Sequence, residues 1–73
     1  MKIVLPDKIN ISDIYKDEIR KLGAEIFDDL PDEAMLINRI KDAEVITASY
    51  VDITPKVIDA APSLKYIVVP AVG

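Results

Sequence analysis

Glu44-Val45-Ile46-Thr47, then Thr54-Pro55-Lys56-Val57-Ile58-Asp59-Ala60-Ala61-Pro62, then Tyr66-Ile67-Val68-Val69 form the stretch whose reading decides the fold. The outer segments are short and rich in β-branched residues, as strands are. The middle one opens as a helix should: a threonine hydroxyl able to accept an orphan N–H, then a proline whose fixed φ suits a position that needs no N–H. Val57, Ile58 and Ala61 give the helix an inward face, and Pro62 ends it. Tyr66-Ile67-Val68-Val69 is apolar on consecutive residues, the pattern of a strand covered on both faces. Two strands joined by one helix imply a parallel pair with a right-handed crossover.

The same alternation runs back to the N-terminus. Ile3-Val4-Leu5 reads as a strand that Pro6 ends. Ser12 is a candidate N-cap, and Ile11, Tyr15, Ile19 and Leu22 recur at helical spacing as one apolar face. Acids lead this helix, Arg20 and Lys21 close it, and Gly23 supplies the stop. Glu25-Ile26-Phe27 reads as the next strand. Pro31 suits the first turn of a second helix, with Asp32 and Glu33 near its positive end and Leu36, Ile37, Ile40 and Ala43 as its buried stripe. The expected order is β-α-β-α-β-α-β, an α/β three-layer unit with a parallel four-stranded sheet.

Composition narrows the function. The chain has 73 residues, 51% of them hydrophobic, which is enough for one packed domain. A domain this small buries only about 60% of its unfolded surface, so its stability is expected to be marginal. It has no cysteine and no histidine, which removes thiolate metal sites and the commonest general base. The net charge of −4 disfavours nucleic acid as a partner. No apolar run approaches the ~20 residues that span a bilayer, and the N-terminus does not read as a signal peptide. No membrane partner and a cytoplasmic address are the expectations.

In open α/β sheets ligands bind beyond the carboxyl ends of the strands. Four loops lie there. Asp7-Lys8-Ile9-Asn10 reads as a solvated turn, and Asp28-Asp29 as a plain acidic turn, too few oxygens for a metal. Ala48-Ser49-Tyr50 places a hydroxyl and a phenol at the end of a central strand, where a structural and a ligand role are evenly matched. Ala71-Val72-Gly73 offers backbone N–H groups that can hold an anion. Lys8, Lys56 and Lys65 read as solvated. With only two glycines, Gly23 and Gly73, neither GxGxxG nor a P-loop can be written. No catalytic, cofactor-binding or metal-ligating residue is expected in this chain.

From Asp42-Ala43-Glu44-Val45-Ile46 through Thr54-Pro55 and Ala60-Ala61-Pro62-Ser63-Leu64-Lys65 to Ala71-Val72-Gly73, the chain resembles the N-terminal domain of NAD-dependent D-2-hydroxyacid dehydrogenases, the phosphoglycerate dehydrogenase-like family. Before Asp42 only the element order agrees. The resemblance implies a flavodoxin-like domain with strand order 2-1-3-4, residues 1–73 forming part of the substrate-binding domain, with the NAD-binding Rossmann domain absent from this chain. It implies that Val72 and Gly73 offer N–H groups to the carboxylate of a small 2-hydroxy or 2-keto acid, with Ser49 and Tyr50 touching the same substrate. Ala48 stands where some members carry arginine, which disfavours a phosphorylated substrate. Ala71 stands where many members carry glycine.

The family's catalytic arginine, glutamate and histidine have no counterpart in this chain. It is therefore expected to be inactive alone, to bind no NAD itself, and to self-associate through its fourth strand or the bared face of that strand. The alternative is a stand-alone flavodoxin-like or receiver-like interaction module. A receiver needs an aspartate at the end of its third strand, where this chain has Ala48-Ser49.

Overall fold

The structure is a computed structural model, and it describes residues 1–9 and 12–69. Seven elements alternate: β1 (Ile3–Leu5), α1 (Asp13–Lys21), β2 (Glu25–Ile26), α2 (Glu33–Ile40), β3 (Val45–Thr47), α3 (Pro55–Asp59) and β4 (Tyr66–Val68). All three strand pairings are parallel and the order is β2-β1-β3-β4. The expected α/β architecture and strand order are both observed.

Strand alternation divides the core between the two faces of the sheet. Val4 and Ile46 point to one face, where they pack with Leu36 and Ile40 of α2, Ala43, Val57 of α3 and Ala61. Leu5 points to the other, where it packs with Ile9 and Ala24, and Ile3, Ile19 and Ile26 close around them. Helices thus cover both faces, α2 and α3 on one and α1 on the other.

Local chemistry explains the boundaries, with some corrections. Thr54 caps α3 as expected, its hydroxyl accepting from Val57 N at 3.3 Å with Pro55 in the first turn. For α2, Pro31 lies before the helix; Asp32 is the cap and accepts from Met35 N at 2.8 Å, because its carboxylate reaches an orphan donor. Ser12 holds the N-cap position of α1, yet its side chain makes no capping bond. Gly23 ends α1 at φ +90°, where a side chain would be strained.

Three burial expectations fail. Of the proposed α1 face, Ile19 packs on the sheet, but Tyr15 is exposed and Leu22 is 76% exposed, because α1 covers only the β1–β2 half of its face. Ile11 falls outside the described residues. Ile58 is half-exposed while Val57 and Ala61 are buried, since a five-residue helix turns only a narrow stripe inward. β4 is exposed throughout, with Tyr66 at 59% and Val68 at 49%. Its register puts Tyr66 and Val68 opposite Val45 and Thr47, on the α1 face but beyond the reach of α1.

Candidate functional site

The carboxyl ends of β1, β2 and β3 are tied by polar contacts beside the apolar packing of Ile9, Phe27 and Val51. Asp7, two residues past the end of β1, is completely buried. Its carboxylate takes the backbone N–H groups of three consecutive residues after β3. Oδ2 accepts from Tyr50 at 2.6 Å and from Val51 at 3.1 Å, and Oδ1 from Ser49 at 3.4 Å. The expectation of a solvated turn at Asp7 is therefore corrected. Three successive N–H donors make a concave anion site, and they supply the hydrogen bonds a buried carboxylate requires. Lys8 is exposed, as expected, and Asn10 lies outside the described residues.

The acidic turn after β2 is also more than a turn. Asp29 receives both Arg39 Nη1 at 2.7 Å and Nη2 at 2.8 Å, a planar two-point match. The same Nη1 donates to the carbonyl of Pro6 at 2.9 Å, and the guanidinium lies 4.2 Å from the ring centroid of Phe27. Lys8 N donates to the Asp29 carbonyl at 2.9 Å. Arg39, on α2, thus ties the ends of β1 and β2 together. Its hydrogen bonds hold the Asp29 carboxyl below the usual carboxylate range, and its charge adds to the effect. Asp28 makes a looser contact with Lys16 at 3.5 Å. Lys56 and Lys65 are exposed as expected and pair with Glu33 at 3.2 Å and Glu44 at 3.4 Å.

Beside these ties a groove of about 360 Å³ opens between the loop after β2 and the loop after β3. Leu30, Pro31 and Leu36 give it an apolar wall, and Tyr50 with the acidic residues Asp32, Glu33 and Asp52 a polar one. The structure separates the two side chains expected to touch a ligand. Tyr50 lines the groove and is exposed, whereas the Ser49 hydroxyl is buried with no hydrogen-bond partner among the described residues. The Thr47 hydroxyl is in the same condition. Val72 and Gly73 fall outside the described residues. Among those residues no cluster of three potential metal ligands occurs, and no helix is long and apolar enough to cross a membrane.

Sequence reasoning missed Asp7 and Arg39. Each carried a signal: Asp7 continues the alternation of Ile3 and Leu5, which turns it toward a covered face, and Arg39 sits among the core-forming Leu36, Ile37 and Ile40.

No family model matches the chain, and no curated protein does. Among solved structures it is similar to an acyclic imino acid reductase (Bsp5) in complex with NADPH and D-Arg, at 30% sequence identity and a TM-score of 0.79. The match covers 94% of this chain and 23% of the reductase chain, so these residues span about a quarter of that protein's length. The four-stranded parallel unit described above is thus a fold shared with one part of an NADPH-bound reductase.

Proposed function

We propose that this chain is the substrate-side part of a nicotinamide-dependent oxidoreductase that transfers hydride to or from carbon 2 of a small carboxylic acid. The observation that carries the reading is the match over 94% of the chain to a reductase bound to NADPH and D-Arg. The resemblance of residues 42–73 to D-2-hydroxyacid dehydrogenases agrees with it. The two likenesses share one chemistry, a C=O or C=N bond next to a carboxylate. The substrate class is therefore a 2-oxo acid or the imino acid formed from it, and the product a D-2-hydroxy or D-amino acid.

Within this reading, Tyr50 contacts the substrate from the groove, Ser49 stands behind it, and Val72 and Gly73 offer N–H groups to the carboxylate. A nicotinamide cofactor would supply the hydride as NADH or NADPH in the reducing direction and take it as the oxidised form in the reverse, and the residues that hold it lie outside these 73. This chain's own work is to bind and orient the acid.

The test uses the full-length enzyme and the 73-residue chain side by side. Oxidation of NADH and NADPH is followed with 2-oxo acids, alone and with an added amine. Turnover by the full-length enzyme and none by the short chain is the expected result. A full-length enzyme inactive on every 2-oxo and imino acid overturns the reading.

A further inference from the structure

We infer that Asp7 is a positioning residue for the substrate groove: it aims Tyr50 by occupying, with its own carboxylate, the anion nest formed by the N–H groups of Ser49, Tyr50 and Val51. The inference rests on the substrate-side reading above and deepens it.

The geometry is specific. Asp7 is wholly buried and does not line the groove, so it cannot touch a ligand there. Its shortest bond, 2.6 Å, is to the backbone N–H of Tyr50, and the bonds to Ser49 and Val51 hold the residues on either side. Fixing three consecutive peptide units fixes the direction in which the Tyr50 side chain leaves the backbone. The partners lie 42 to 44 positions away in sequence, so the contact ties the end of β1 to the loop after its sheet neighbour β3.

The ion pairs among the described residues use other acids, so the carboxylate is balanced by N–H donors alone. A nest already filled from within cannot also hold the substrate's carboxylate. The loop after β3 therefore meets substrate through the Tyr50 side chain, and the substrate anion is held elsewhere.

Asp7→Asn is the informative variant. It keeps the shape but turns an NH₂ group toward N–H donors, so at least one bond is lost and the loop loosens. In the full-length enzyme, KM for a 2-oxo acid should rise about tenfold with kcat little changed, since the loss falls on binding. NADPH affinity should stay as in the wild type.

The deciding measurement is a double-mutant cycle with Tyr50→Ala. If Asp7 acts through Tyr50, Asp7→Asn adds nothing to KM once Tyr50 is alanine. If its effects simply add, Asp7 is a fold support only and the inference is overturned. An Asp7→Asn enzyme with unchanged KM overturns it too.

As an arm independent of Asp7→Asn, Asp7→Ala is expressed and assayed in formate, a carboxylate small enough to fill the nest. Recovery of KM supports the role, and a KM that formate leaves unmoved overturns it. The substrate-side reading has its own arms. A wild type without turnover, or a Tyr50→Ala enzyme with unaltered KM, removes the groove as the substrate site and with it the role of Asp7 toward substrate.

Discussion

Asp29, exposed, and Glu44, half-buried, are carboxylates whose ionised forms the fold favours. For Asp29 the cause is first the two-point hydrogen bond from Arg39; for Glu44 it is first the backbone N–H of Lys2, then the Lys65 ammonium. Both carboxyls sit below their ordinary values, so in the folded chain they bind protons less readily than in the unfolded one. Their contribution is complete above their ordinary, unfolded-chain values and is lost as pH falls through the lowered folded values. Solvent screening keeps each contribution small. The expected outcome is a urea midpoint that falls as the pH drops below the ordinary carboxylate range, with a shallower fall in Asp29→Asn. A variant whose acid limb superimposes on that of the wild type would show that the Arg39 pair contributes nothing. Arg39 itself shows why such residues escape a reading of sequence. Its partners Pro6, Phe27 and Asp29 come from two other strand ends, and only the closed fold brings them to one guanidinium.

At the scale of elements, local chemistry was legible wherever a helix start carries its own hydrogen-bond partner. Thr54 and Pro55 gave the beginning of α3 to the residue, and the structure shows the capping bond. Ser12 carries the same hydroxyl chemistry without making the bond. The two caps should therefore respond differently. Thr54→Ala should cost about 1 kcal/mol, and Ser12→Ala well under half of that. Circular dichroism melts or urea titrations of the two variants read the difference, and equal losses would mean that the hydroxyl bond at Thr54 is not what secures α3. Pro31 misled because a proline near a helix start suits more than one position, and the acid behind it turned out to be the cap. Periodicity misled for α1 because it records which residues could face a sheet, not how wide a sheet α1 covers. Only the β1–β2 half is covered, which leaves Tyr15 and Leu22 in solvent. Of the candidate site, Tyr50 was legible because the topology sends the loop after a central strand to the carboxyl edge. Asp7 was not, because its three partners are more than forty residues away.

For the whole molecule the decisive asymmetry lies in the sheet. β2 at one edge is packed under α1, while β4 at the other has β3 as its one strand neighbour among the described residues and apolar side chains in solvent. Tyr66, Ile67, Val68 and Val69 are all exposed, and none carries charge. On the α1 side, half-buried Val45 of β3 lies beside Tyr66 at the margin of this strip. An uncharged edge with unpaired N–H and C=O groups is a template for another strand. Two copies related by a two-fold axis would pair β4 with β4 antiparallel, giving one continuous eight-stranded sheet and burying the strip on both. The two-fold brings the same segment to itself, so the absence of charge there matters more than the net charge of −4 spread over the rest. In the longer enzyme proposed above, further chain would cover the strip, and the tendency would be suppressed. The 73-residue chain alone should therefore be a dimer or larger species at high micromolar concentration by light scattering. Val68→Lys would set like charges against each other across the pair and strand them on an apolar face. It should shift the chain toward monomer without disturbing the Val4–Ile46 core, which lies on the other face. A folded wild-type monomer at those concentrations removes the edge as an interface. An assembly that survives Val68→Lys unchanged moves the contact to the exposed side of α1, where Ile14 and Tyr15 stand in solvent.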